Sequence, residues 1–332
     1  MRLPPFKVLE PGTKKSALLT LDKHNKNLKI VAGGTEVVVM MKLGLSAPLY
    51  LMSLKKIKVL RGIRKTKNEV IIKSSTSINE ILQSPLINKN FKSITQAAKL
   101  LAAPPIQNRA TIGGNILQDT RCLYYNQSEF FRSGLKPCFK VGGDICHAVK
   151  GGKRCFSVYQ GDMVPSLISF GSKIKLEKKD SSRTVLLSDL FTGKGENPFS
   201  IQPNELLTEI VIPLHNCNYG SSYEKLRIRK GLEYPLVSAA VFLSENTDGN
   251  LDNVRIVIGA AASGPKIIEN ASIYLKRKNS SDEDVDEIAN ISDNLSEMVN
   301  NLSVSAAYRR KMVQVVTKRS LQNAFQDLNK GG

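Results

Sequence analysis

From Asn115 to Asp162 the chain carries almost no hydrophobic periodicity, and this constrains the fold more than any other feature of the sequence. A connection longer than about 15 residues without structure of its own is uncommon in a compact domain and is usually functional. Much glycine, lysine and aspartate is interspersed along it, with no helix or strand period among the apolar residues. The same stretch holds four of the five cysteines, Cys122, Cys138, Cys146 and Cys155. Their spacing is C-x15-C-x7-C-x8-C, with no C-x2-C pair of the kind that zinc knuckles use.

Three readings of these thiols stand side by side. Four thiolates can hold a metal or an iron–sulfur cluster. Disulfides are disfavoured in reducing compartments, and the N-terminus, Met1 to Lys7, lacks the apolar core of a signal peptide. Free cysteines also serve as small buried hydrophobes. Yet these four lie beside Arg121, Lys136, Lys140, Lys150, Lys153 and Arg154, a cationic setting that favours the thiolate. A metal or cluster centre is the preferred expectation, with a zinc-stapled binding protein as one alternative.

The chain of 332 residues fits two or three domains, and its 41% hydrophobic share suffices for substantial cores. Net charge is +19, but the lysines are scattered and no aromatic–basic interleaving stands out, so nucleic-acid binding is not expected. Such a charge favours docking of an acidic partner. No apolar run approaches the roughly 18 residues of a membrane span. A cytoplasmic protein is expected.

Along the chain, a helix through Leu18 and Leu21 precedes a strand at Leu28–Ala32, the turn Gly33-Gly34-Thr35 and a short helix from Glu36 to Lys42. Strand, glycines and helix start leave backbone N–H groups free for an anion. Glu69–Ile72 reads as a strand, and Ser77 with Glu80 as a capping box. A helix over Lys92–Leu101 is ended by Pro104-Pro105. Leu167-Ile168, Lys173–Leu176, Thr184–Leu186 and Ile210–Pro213 read as strands. Leu236–Leu243 and Val254–Ala261 form a hairpin through Asp248-Gly249. Helices are expected over Pro265–Lys276, Asp282–Met298 and Ser305–Leu328. The class is α+β.

Ala32-Gly33-Gly34-Thr35-Glu36, Arg109-Ala110-Thr111-Ile112-Gly113-Gly114-Asn115 and Tyr223-Glu224-Lys225 together resemble the FAD-binding medium subunit of the xanthine dehydrogenase family of molybdenum hydroxylases. In that family the Gly-Gly-Asn turn soon meets an aspartate–proline segment, matched here by Gly161-Asp162-Met163-Val164-Pro165 after about forty intervening residues. The insertion, with Asp119 to Cys122 and Tyr125 to Ser128, is similar to that of the beta subunits in the 4-hydroxybenzoyl-CoA reductase branch.

The resemblance implies a two-part FAD-binding domain of the vanillyl-alcohol-oxidase type, over residues 1–57 and 58–218, with a cysteine-rich loop at 118–160. A C-terminal domain like that of CO dehydrogenase flavoproteins would follow at 219–332. It implies that Ile30, Val31, Ala32, Gly33, Gly34, Thr35, Glu36 and Val37 wrap the FAD pyrophosphate. Thr111, Ile112, Gly113, Gly114 and Asn115 would form a second cradle, in which Gly114 is expected to need positive φ or close backbone approach. Asp162 and Lys225 would contact the cofactor, although a solvated charge is the plain alternative for Lys225. Glu36 departs from the aspartate usual in the family.

Cys122, Cys138, Cys146 and Cys155 would ligate a [4Fe–4S] cluster, leaving Cys217 as a spare structural thiol. The implied partners are a large molybdopterin subunit and a small [2Fe–2S] subunit in a dimer of heterotrimers, with ferredoxin as donor. No residue of this chain is expected to act on substrate. The implied reaction is reductive dehydroxylation of 4-hydroxybenzoyl-CoA to benzoyl-CoA. An oxidative dehydrogenase of xanthine, an aldehyde or a CoA ester is the alternative.

Overall fold

The computed structural model describes residues 3–229, 231–269, 271–275 and 282–330. Its first unit runs through β1 (Lys7–Leu9), α1 (Lys14–His24), β2 (Leu28–Val31), α2 (Val37–Lys42) and β3 (Tyr50–Ser53). Strand β3 lies between β1 and β2 and is parallel to both, as helical crossovers require. Helix α1 starts where the Thr13 hydroxyl accepts from Ser16 N at 3.1 Å. It buries Ala17, Leu18 and Leu21 against Leu28 and Met52.

The second unit contains β4 (Ile63–Lys65), β5 (Glu69–Lys73), α3 (Ile78–Leu82), α4 (Pro85–Asn90), α5 (Lys92–Leu100), α6 (Pro104–Gln107) and α7 (Ile112–Ile116). It continues with α8 (Glu129–Ser133), α9 (Met163–Ser169), β6 (Lys173–Lys178), β7 (Ser181–Leu186) and β8 (Leu206–Pro213). The five strands pair antiparallel in the order β4-β5-β8-β6-β7. The expected capping box forms: Glu80 N donates to Ser77 Oγ at 3.2 Å, and Ser77 N to Glu80 Oε2 at 2.9 Å. Pro104 and Pro105 open α6 instead of merely stopping α5, because the first turn of a helix needs no N–H from them. The strand expected at Leu167-Ile168 is a correction. Both residues lie in α9, which is buried along its whole length. A short apolar run buried all round has no period to tell helix from strand.

The third unit holds β9 (Tyr219–Leu226), β10 (Val237–Glu245), β11 (Leu251–Gly259), β12 (Lys266–Ile267), α10 (Ala271–Tyr274), α11 (Asp282–Asn294) and α12 (Ala306–Asn329). The hairpin turns where expected, with Asn246 Oδ1 accepting from the N–H groups of Asp248 and Asn250, both at 3.0 Å. The helix expected over Pro265–Lys276 is shorter, because Lys266–Ile267 pairs with β11 and the helix covers Ala271–Tyr274. Lys276 lies outside the described residues. Helix α11 ends at Asn294, short of Met298.

Strand β10 locks the units together. Ala240 and Phe242 enter the core of the second unit, while Val237, Ala239, Val241 and Leu243 enter a separate core under α12. The period of two in a strand serves two cores at once. Arg309 is buried beneath this sheet and donates to the carbonyls of Leu236, Val299 and Ala260. Burial pulls its pKa down to about 10.

Candidate functional site: two glycine turns and a cysteine pocket

Ile30 and Val31 end β2, Ala32 to Glu36 form the turn, and Val37 opens α2. Gly34 has φ +74°, which favours glycine. A Cβ on Gly33 would stand 1.9 Å from the Arg109 carbonyl oxygen, so the two glycine turns touch backbone to backbone. Thr111 caps α7, its hydroxyl accepting from Gly114 N at 3.2 Å. Gly113 N donates to Ser74 O at 2.9 Å, and a Cβ there would lie 2.9 Å from the same oxygen. Gly114 has no positive φ, and its added Cβ would meet only the Thr111 hydroxyl at 3.1 Å. The conformational demand expected at Gly114 falls instead on Gly34, and the steric demand on Gly33 and Gly113.

Around these turns lie buried polar atoms without hydrogen-bond partners among the described residues: Ser74 Oγ, Ser75 Oγ, Glu36 Oε1, Gln118 Nε2 and Arg121 Nε. Leaving such groups unpaired costs about 1–3 kcal/mol each, which a polar ligand recovers. Bare backbone packed turn against turn and orphaned polar atoms fit a large phosphate-bearing cofactor such as FAD. Periodicity gave no sign of Ser74 and Ser75, since they sit in a plain loop after β5.

Asp162 and Lys225 meet each other. Lys225 Nζ is 2.8 Å from Asp162 Oδ1, with the lysine side chain 0% exposed. Tyr223 Oη donates to the same oxygen at 2.9 Å, and Lys225 also donates to the carbonyls of Leu100 and Glu233. Burial pushes the Asp162 carboxyl up, against the pull of Lys225 and Tyr223. The solvated alternative for Lys225 therefore fails. Asn115 Oδ1 accepts from Met163 N at 3.1 Å, tying the second turn to the Asp162 segment.

Glu36 faces Arg121, whose Nη2 is 3.7 Å from Glu36 Oε1. Burial pushes the Glu36 carboxyl up to about 7, with Arg121 pulling the other way. The Arg121 guanidinium also stacks 3.9 Å over the Tyr234 ring and donates to its hydroxyl at 2.5 Å. Tyr234 escaped the sequence reading because no local pattern links it to residues over a hundred positions earlier.

The cysteine loop enters and leaves through an antiparallel bridge between Arg121 and Val158, with N–H···O bonds of 2.8 Å in both directions. Inside it, Cys122, Cys138, Cys146 and Cys155 line one cavity, together with apolar faces such as Phe139, Ile145 and Phe156. All four are free thiols, as is the exposed Cys217, which is therefore no core residue. Among the described residues, no group of three or more His, Cys, Asp or Glu side chains is close enough to hold a metal ion.

The expected cationic activation needs correction. Burial pushes the Cys122 and Cys155 thiols up, and nearby Cys155 and Cys146 push Cys122 further. Lys136, Lys150 and Lys153 point to solvent, too hydrated to offset it.

The loop also grips its surroundings. Arg132 donates to the carbonyls of Leu43 and Gly44, just past the end of α2, and Arg154 pairs with Glu297 at 2.7 Å. Lys140 turns inward, its side chain 4% exposed.

Residues 4–215 match the family described as the FAD binding domain in molybdopterin dehydrogenase. The chain belongs to that family. It is an FAD-binding oxidoreductase subunit of the molybdenum hydroxylase type, and residues 221–324 of this flavoprotein match the CO dehydrogenase flavoprotein C-terminal domain. The flavoprotein is 26% identical to the carbon monoxide dehydrogenase medium chain of Hydrogenophaga pseudoflava, over 97% of this chain and 98% of that one. It is 23% identical to the nicotine 6-hydroxylase medium subunit of Paenarthrobacter nicotinovorans, covering 98% of this chain and 99% of that one. A solved structure of carbon monoxide dehydrogenase from Hydrogenophaga pseudoflava superposes with a TM-score of 0.81 at 26% identity, over 98% of this chain and 99% of that one. The mixed α/β architecture, an FAD-binding domain followed by a C-terminal domain, is thus the one expected. Among the described residues no helix is long and apolar enough to cross a membrane.

Proposed function

We propose that this flavoprotein relays electrons in the cytoplasm between an external carrier and a molybdenum-bearing partner, through a [4Fe–4S] cluster in the inserted loop and FAD in the cleft. The observation that supports it is the convergence of Cys122, Cys138, Cys146 and Cys155 on one cavity. A four-iron cube takes one thiolate per iron, and four thiols line this one cavity. Four cysteines could equally close on one zinc, and the iron content separates the two readings.

Ile30 to Val37 and Thr111 to Asn115 would hold the FAD pyrophosphate by backbone approach, across the units read as 1–57 and 58–218. Asp162 and Lys225 would hold the 219–332 domain against that cleft and present its edge to the cofactor. When bound, FAD supplies a carrier that passes one or two electrons, and so joins one-electron clusters to two-electron chemistry. The chain's own residues bind, space and electrostatically tune these groups. The partners would be a large molybdopterin subunit and a small [2Fe–2S] subunit, assembled as a dimer of heterotrimers.

The cluster sets the direction we favour: reduced ferredoxin, acidic and drawn to a chain of net charge +19, delivers electrons inward for reductive dehydroxylation of 4-hydroxybenzoyl-CoA. The second reading is outward flow from an oxidised substrate. The names of the relatives, a carbon monoxide dehydrogenase and a nicotine hydroxylase, favour it.

The anaerobically purified complex should contain about four irons and four sulfides per copy of this chain, beyond those of the partner subunits. Turnover should run with reduced ferredoxin and weaken with added salt, because exposed charges are screened over about 8 Å at physiological ionic strength. Stoichiometric zinc without the extra iron would remove the cluster. Full activity with a nicotinamide cofactor and none with ferredoxin would leave outward flow as the function.

A further inference from the structure

Behind Cys155 a row of buried polar atoms leads to a single ammonium. Cys155 Sγ lies 3.1 Å from Ser157 Oγ, and Ser157 Oγ lies 2.7 Å from Thr120 Oγ1. Lys140 Nζ is 2.6 Å from Thr120 Oγ1, from Asp119 Oδ1 and from Gly195 O. Ser157 and Thr120 are 1% and 0% exposed. Gly195 seals the row, because a Cβ there would fall 2.5 Å from Ser157 Oγ and 2.9 Å from Cys155 Sγ.

The direction of the hydrogen bonds follows from the donor inventory. An ammonium only donates, so Thr120 Oγ1 accepts from Lys140. Both hydroxyls also stand against the Gly195 carbonyl, at 2.7 Å from Thr120 and 3.1 Å from Ser157, and the neutral Cys155 thiol donates to Ser157 Oγ. A thiolate has no proton to give, so on ligation the Ser157 hydroxyl becomes the donor to the sulfur, with the Thr120 hydroxyl 2.7 Å behind it. The counter-ion Asp119 is 35% exposed, so water weakens its opposing field more than that of the ammonium, which is 4% exposed. Cys122, by contrast, receives backbone N–H groups of Tyr124 and Tyr125.

We propose that Lys140, acting through Thr120 and Ser157 on the Cys155 sulfur, is a positioning residue that raises the reduction potential of the cluster. This rests on the cluster reading given above. One-electron reduction adds one negative charge to the cluster and its four thiolates, with no bond made or broken. A cation and a hydrogen bond directed at one of those sulfurs stabilise that added charge.

The test is an anaerobic redox titration of the intact complex, followed by electron paramagnetic resonance, on the native protein and on Lys140→Met, Lys140→Arg and Ser157→Ala. Iron content and the flavin potential are read in the same samples. Lys140→Met and Ser157→Ala should keep their iron and the flavin potential. At a fixed ambient potential, the reduced-to-oxidised ratio of this cluster should fall about tenfold in Lys140→Met, a shift of about 59 mV for one electron. Ser157→Ala should fall in the same direction, and Lys140→Arg should stay near the native value.

A merely structural Lys140 would lower thermal stability or iron content while the remaining cluster titrates as in the native protein, and that result overturns the proposal. Should Lys140→Met fail to fold, Ser157→Ala decides alone: an unchanged potential there is equally fatal. Native protein without the extra iron would instead defeat the cluster reading, an outcome told apart by metal analysis before any titration.

Discussion

Gly33→Ala protein is expected to bind FAD roughly tenfold to a hundredfold more weakly than the native protein. The added methyl group would lie 1.9 Å from the Arg109 carbonyl oxygen and 2.7 Å from its carbonyl carbon. Both are backbone atoms, so no side chain can rotate away, and the two glycine turns must part by an ångström or more. Overpacking of this kind costs about 1–3 kcal/mol. Where the cost falls on the bound geometry, affinity drops roughly tenfold to a hundredfold. Gly114→Ala should be far milder, because its methyl group meets only the Thr111 hydroxyl at 3.1 Å. The absorbance ratio of flavin to protein, with circular dichroism to establish folding, checks both. Native FAD affinity in folded Gly33→Ala protein, read by titration, would show that the turns do not form the cradle.

The second large effect is on stability. Lys225→Met strands the Asp162 carboxylate, 5% exposed, with Tyr223 as its remaining partner. Breaking a buried ion pair from one side costs about 3–5 kcal/mol. Arg61→Met is the control, since Arg61 is 63% exposed in its pair with Glu80 and such a pair contributes at most about 1 kcal/mol. Urea denaturation midpoints should therefore separate the two variants clearly. Equal midpoints would mean that the Asp162–Lys225 contact does not hold the C-terminal unit to the cleft.

Features encoded within a few residues were legible in the sequence. The capping box at Ser77, the Asp248-Gly249 hairpin and the turn at Gly33-Gly34 each depend on neighbours along the chain, and each is where the residues indicate. Helix α9 was not legible, because a fully buried apolar run has the same pattern in either conformation. Lys225 and Asp162 were each singled out, but their pairing was invisible at a separation of 63 positions. Lys140 is the sharpest case. In sequence it is one of several lysines in a basic loop, and only the fold distinguishes it, by turning it inward while Lys136, Lys150 and Lys153 stay in water. The hydrophobic pattern says which faces are buried, and not which single cation a loop will enclose.

The hydrogen-bonded bridge between Arg121 and Val158 closes the long insertion at its base. Its two ends lie one strand spacing apart, so the flavin scaffold closes at one doorway, while Arg132, Arg154 and Lys140 fasten the loop beyond it. The entropy of closing a loop grows only with the logarithm of its length, about 0.6 kcal/mol per doubling. A scaffold with such a doorway can lengthen or shorten the insertion without relocating a strand.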